Sequence, residues 1–155
     1  ANDGEKYSPE GIEEAITDRS PYIEQIMLYN DQSPYTAALL VPNKEAILRR
    51  LAEDHLSTAT PDGQEAALRL LEGEIGAYRE GGPCGGMFPQ RWLPSAVAVL
   101  GEGFTEQNTL LNSTMKMVRG RIVEYYKNRL DFLYTPEGKN ILNSQNMTIV
   151  SRFRA

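Results

Sequence analysis

Lys116 lies in Thr109-Leu110-Leu111-Asn112-Ser113-Thr114-Met115-Lys116-Met117-Val118-Arg119, a stretch of small polar groups that leads into a helical pattern. An ammonium so placed can neutralise negative charge building on a phosphate or a carboxylate without a base nearby, the electrostatic part that Lys and Arg play in phosphoryl chemistry. The competing reading of the same residues is a solvated surface lysine, because most lysines are exposed. Gly4-Glu5-Lys6, just ahead of Ser8-Pro9, is a second candidate. Glycine turns and helix starts present backbone N–H groups to anionic ligands, and Lys6 adds a cation.

Other chemistry is excluded by counting. His55 and Cys84 are each the only residue of their kind among 155. An intrachain disulfide is therefore impossible, a structural zinc site lacks its four ligands, and a nucleophile has no histidine beside it. His55, in Glu53-Asp54-His55-Leu56, reads as a helix-end residue, and Cys84, in Gly81-Gly82-Pro83-Cys84-Gly85-Gly86, as a loop residue without a base near in sequence. Those glycines precede Met87-Phe88-Pro89 with no Gly-Lys-Ser/Thr, so neither standard phosphate loop is present. Sixteen Lys and Arg against twenty-one Asp and Glu leave a net charge of -5. Such a surface repels phosphate backbones, and nucleic acid is not an expected partner. Trp92 and Tyr125-Tyr126 are then read as core packing rather than base-stacking platforms. The triplets Asn112-Ser113-Thr114 and Asn146-Met147-Thr148 are read as accidental matches to a glycosylation signal. A reducing, cytoplasmic setting fits the absence of disulfides. Ala1-Asn2-Asp3-Gly4 has no basic stretch followed by an apolar one, so no secretory leader is expected there.

The elements that must position these residues follow from periodicity. Ser8 is expected to cap a helix that starts at Pro9 and ends near Arg19. Tyr22 to Tyr29 and the apolar run Tyr35 to Val41 read as strands joined in a hairpin, the second covered on both faces. Lys44 to His55 is an amphipathic helix. A second follows Pro61-Asp62-Gly63, with Ala67, Leu70, Leu71, Ile75 and Tyr78 inward and Arg69, Glu72 and Arg79 toward water. Glu80 to Gly86 is a flexible loop, Ala96 to Leu100 a third strand, and a helix runs from near Met117 until Thr135-Pro136 stops it. Glu137 to Ala155 offers a short helical suggestion at Lys139 to Leu142 and a tail, from Met147, without an assigned place. The sum is one α+β domain, a small mixed sheet with helices packed around it.

Two separated segments go further. Gly4-Glu5-Lys6-Tyr7-Ser8-Pro9-Glu10-Gly11-Ile12-Glu13 resembles the hinge-side motif of the adenylate-forming acyl-CoA synthetases, with its glycine turn, Pro-Glu helix start and closing Ile-Glu. Phe104-Thr105-Glu106-Gln107-Asn108 followed by Leu111 to Arg119 resembles the long-chain form of the family's terminal lysine motif, and the strand ending Leu40-Val41-Pro42-Asn43 suits long-chain members. One departure is Met115, where the family often has Gly before its lysine. The resemblance covers about Gly4 to Tyr134. It implies that residues 1–134 are the mobile C-terminal subdomain of an AMP-forming acyl-CoA synthetase and 135–155 a C-terminal extension.

The implied reaction activates a carboxylic acid with ATP to an acyl-adenylate and then forms acyl-CoA, releasing AMP and pyrophosphate. Lys116 falls at the place of the adenylation lysine; Gly4, Glu5 and Lys6 fall in the loop that faces the pantetheine channel. ATP, CoA and Mg2+ are the implied cofactors and substrates of the full-length enzyme, none held firmly by this piece. The implied partners are a large N-terminal domain that binds ATP and fatty acid, between whose two poses the small domain rotates, and the fatty acid and CoA themselves. Peripheral membrane contact by the full enzyme is compatible with this. The piece by itself is expected to be inactive. The alternative from a different class is a free-standing α+β interaction module in which Lys116 is only a surface charge.

Overall fold

The computed structural model describes residues 8–154. Its elements, in order, are α1 (Pro9–Arg19), β1 (Ile23–Tyr29), β2 (Ala37–Pro42), α2 (Lys44–Glu53), α3 (Pro61–Gly76), a 3-10 turn (Gln90–Trp92), β3 (Ala96–Val99), α4 (Arg119–Tyr125), α5 (Lys127–Phe132), α6 (Pro136–Lys139) and α7 (Ser144–Ser151). β1 and β2 form the expected hairpin, pairing Ile26 with Leu40 and Tyr29 with Ala37, and β3 adds in parallel to β2, Ala37 beside Ala96 and Leu40 beside Val99. The sheet is mixed, in the order β1-β2-β3.

The central position of β2 explains its unbroken apolar run. Ala38 and Leu40 point with Ile26, Leu28, Val97 and Val99 into a core closed by α1, α2, α3 and the C-terminal segment. Ala37, Leu39 and Val41 point the other way, with Met27, Ala96 and Ala98, onto Phe104, Leu110, Ile122, Leu130 and Leu133. Alternating side chains of one strand thus serve two cores.

Side chains bond backbone groups on both outer edges of the sheet. On β1, the Leu28 N–H donates to Glu13 Oε2 of α1 at 2.7 Å. On β3, Asn146 of α7 behaves as a strand in miniature: its Oδ1 accepts from Val99 N at 2.9 Å, and its Nδ2 donates to Val97 O at 2.8 Å and Ile141 O at 3.0 Å. Arg129 completes that edge by donating to Val99 O at 3.0 Å. On β3 these bonds occupy the Val97 and Val99 groups that another strand would otherwise pair with. Burial holds the Arg129 guanidinium below its ordinary pKa, the nearby Tyr126 acting in the opposite direction.

Several details depart from the sequence reading. The segment without an assigned place forms α7, and Val150 and Phe153 enter the same core as α1 and α3. Thr135-Pro136 starts a helix as well as ending one: Thr135 Oγ1 accepts from Gly138 N at 3.0 Å with Pro136 in the first turn of α6. Thr60-Pro61 does the same for α3, which begins at Pro61 rather than after Gly63, Thr60 Oγ1 accepting from Gly63 N at 3.3 Å. Ser8 makes no side-chain cap bond, and Pro9 with an acidic first turn starts α1 instead.

The single helix expected from Met117 is two, interrupted at Tyr126, so that Leu130 and Leu133 turn toward the sheet. Tyr126 packs edge-on against Phe104, but Tyr125 is 68% exposed and is not core. In α3, Leu68 is buried deeper than Leu70. Arg79 does not simply face water: it bonds Pro94 O, and its partial burial lowers its pKa. His55 is a helix-end residue as read. It adopts φ 59°, and the bonds His55 N to Ala52 O and Leu56 N to Leu51 O close α2 in the Schellman manner.

Candidate functional site

Lys116 sits in a tight hairpin loop between the lips of a cleft. Leu111 and Met117 pair as an antiparallel bridge, and Val118 N donates to Leu110 O at 2.9 Å, which sets the base of the hairpin. Asn112 then folds the loop onto itself. Its Oδ1 accepts from Thr114 N at 2.9 Å, Thr114 Oγ1 at 2.8 Å and Lys116 N at 3.0 Å, while its own N–H donates to Lys116 O at 2.9 Å. The turn forces Met115 to φ 65°, in the left-handed region that favours glycine. Met115 meets that turn with an exposed side chain.

The preceding segment is held as firmly. Gln25 of β1 bonds both backbone groups of Phe104, donating to its O at 3.0 Å and accepting from its N at 2.7 Å. Asn108 Oδ1 accepts from Thr105 N at 3.0 Å and Leu110 N at 3.1 Å, and Asn108 Nδ2 donates to Gly103 O at 2.9 Å. After the loop, Arg121 Nη1 donates to Thr109 O at 3.0 Å. Gln25, Asn108 and Asn112 are the positioning residues that sequence reading passed over. The signal was available in Asn108 and Asn112, since Asn in a turn-prone stretch bonds its own backbone.

The cleft has a volume of about 480 Å³ and lies between α1, β1 and this hairpin. Glu10, Glu13 and Glu14 of α1 and Glu24 of β1 line one side; Met115, Lys116 and Arg119 line the other. Lys116 is exposed, and its ammonium makes no hydrogen bond or ion pair among the described residues. Arg119, by contrast, grips Glu13 with both guanidinium nitrogens. Gly4, Glu5 and Lys6 lie outside the described residues. Cys84 and His55 are not in the cleft, and Asn146, fully buried in the sheet edge, is inaccessible to glycosylation in the folded chain. Among the described residues no group of three or more His, Cys, Asp or Glu is arranged to hold a metal ion, and no helix is long and apolar enough to cross a membrane.

Residues 1–67 match the family described as AMP-binding enzyme C-terminal domain. The adenylation domain of a carboxylate reductase from Mycobacterium chelonae superposes with a TM-score of 0.58 at 27% identity, over 81% of this chain and 17% of that one. The A domain of a carboxylic acid reductase from Segniliparus rugosus, solved with AMP and a co-purified carboxylic acid, gives 0.58 at 25% identity, over 86% of this chain and 19% of that one. The fold is that of the C-terminal subdomain of adenylate-forming enzymes.

Two Arabidopsis thaliana relatives extend the adenylate-forming likeness beyond the first 67 residues. Probable acyl-activating enzyme 16, chloroplastic, is 29% identical over 137 residues, 84% of this chain. A chloroplastic long-chain-fatty-acid–[acyl-carrier-protein] ligase is 29% identical over 138 residues, 85% of this chain. The chain covers 17% and 16% of their lengths, about a sixth.

Proposed function

We propose that this C-terminal subdomain serves a fatty acid–CoA ligase of the long-chain type, which joins a carboxylic acid to ATP as an acyl-adenylate, releases pyrophosphate, and then transfers the acyl group to the CoA thiol with release of AMP. The observation that carries the reading is Lys116: its ammonium is free of partners among the described residues, while its backbone is tied at N and O by Asn112. Such a cation is oriented yet available. During adenylation a carboxylate oxygen bonds the α-phosphorus as the bond to pyrophosphate breaks, and the charge gathering on the phosphate oxygens is where an ammonium stabilises most. Gly4, Glu5 and Lys6 belong to the proposal as the thiol-side loop. The large N-terminal domain supplies the ATP and acid pockets. In this proposal Mg2+ accompanies ATP. The cytoplasmic setting is part of the same proposal; the two plant relatives are named as chloroplastic.

The test uses the full enzyme that carries this domain. Lys116→Ala slows acyl-adenylate formation by about a hundredfold or more, a loss of about 3 kcal/mol. Lys116→Arg does not restore the rate, because a planar fork does not replace a point charge. Conversion of a supplied acyl-adenylate to the thioester persists in Lys116→Ala. An unchanged adenylation rate would return Lys116 to the solvated surface and favour the interaction module. A second reading differs only in the acceptor: the name of one relative specifies an acyl-carrier-protein. Offering the enzyme CoA and a pantetheinylated carrier protein side by side separates the two.

A further inference from the structure

Among the described residues, the carboxylate of Glu13 joins the hairpin that presents Lys116 to the far side of the cleft. Glu13 is 4% exposed. Its Oε2 accepts from Leu28 N at 2.7 Å and from Arg119 Nη1 at 2.9 Å, and its Oε1 accepts from Arg119 Nη2. Arg119 is the first residue of α4, three positions after Lys116 and directly after the Leu110–Val118 bond that closes the hairpin. A two-armed carboxylate–guanidinium pair fixes orientation as well as distance. The Leu28 N–H fixes the carboxylate in turn, because β1 is paired along its other edge and does not move alone.

We propose that Glu13 is a positioning residue for Lys116, acting through Arg119 to hold the base of the hairpin so that the ammonium reaches the reacting phosphate in one pose. This rests on the reading of Lys116 as the adenylation lysine. The magnitude follows from reach. A displacement of about 1 Å in a catalytic group costs on the order of a hundredfold in rate. The loop itself is rigid through Asn112, so a tilt at its base moves the whole loop. The pair differs from the exposed ion pairs of this chain, such as Arg49 with Glu45, which contribute little. Deleting Arg119 takes from the buried Glu13 carboxylate the cation that grips it.

The experiment is a double-mutant cycle in the full enzyme. Glu13→Gln keeps an oxygen for Leu28 N–H and gives up the charge and the second acceptor for Arg119. It lowers kcat for acyl-adenylate formation by about ten- to a hundredfold, leaves KM for ATP and acid within about twofold, and spares thioester formation from a supplied acyl-adenylate. In a Lys116→Ala background the same change adds less than about twofold, because there is no ammonium left to aim. Arg119→Lys, which keeps Glu13 paired to a cation, runs the same cycle with a smaller loss and decides the matter if Glu13→Gln does not fold. A full additional loss in the Lys116→Ala background overturns the coupling while leaving the catalytic role of Lys116 intact. An equal loss in both half-reactions also overturns it. If Lys116→Ala by itself leaves adenylation unchanged, the functional reading and this inference fall together.

Discussion

Asn146→Ala removes a fully buried side chain from the edge of the sheet, and its cost can be worked from the bonds it makes. Val99 N, Val97 O and Ile141 O each lose a partner at 3.0 Å or closer, and Arg129 Nη2 loses a contact at 3.2 Å. A buried backbone group left unpaired costs about 1–3 kcal/mol, nearer the lower end where the vacated volume admits water. Three such groups give about 3–5 kcal/mol, against a total stability on the order of 5–15 kcal/mol for a domain. The assay is urea unfolding of the expressed chain followed by circular dichroism. With a slope on the order of 2 kcal/mol/M, the midpoint falls by about 2 M while the slope holds. Asn146→Asp keeps the acceptor for Val99 N but turns an oxygen toward two carbonyls, and it costs a comparable amount. A fall of less than about 1 kcal/mol in both variants would refute the reasoning, showing that α7 docks without closing the edge of β3.

Further outcomes follow from the same geometry. Gly63→Ala places a Cβ 1.7 Å from Ser57 O, which neither backbone can relieve cheaply, so the melting temperature drops by well over the shift of a surface substitution; an unchanged value would mean that the start of α3 is free to move. Met115→Gly accepts the left-handed turn and Met115→Val resists it, so thermal unfolding finds the glycine variant about 1 kcal/mol the more stable of the two. Glu137 accepts from Ser144 N at 3.1 Å and Ser144 Oγ at 2.7 Å, which hold its carboxyl below the usual 4.5. A lowered folded-state pKa contributes stability above the unfolded value that is lost as pH falls through the folded one. The stability difference between the wild type and Glu137→Gln therefore narrows as pH falls below about 4.5 and through the lowered folded-state value, measured by thermal melts.

Much of this protein was legible in the order of its residues because local rules governed those parts. The alternation and apolar content of 22–29 and 35–41, the spacing of Ile47, Leu48 and Leu51, and the run Ala96 to Leu100 produced three strands of one sheet and the helices beside it. Lys116 could be singled out because a cation among small polar residues is visible without knowing the fold. Its surroundings could not. Glu13 and Arg119 lie 106 positions apart, and Asn146 reaches β3 from 47 positions away. No periodicity records such partners; only the closing of the chain brings them within bonding distance. The same holds for residues 136–154. Their helices are too short to be stable through propensity alone, and they form because the open edge of β3 and the core around Ile12 and Leu71 accept them. Residue types and spacing thus determined what could do chemistry and which segments would be strands or helices. The tertiary structure decided what holds the lysine in place, because a buried carboxylate is satisfied only by groups that distant parts of the chain deliver.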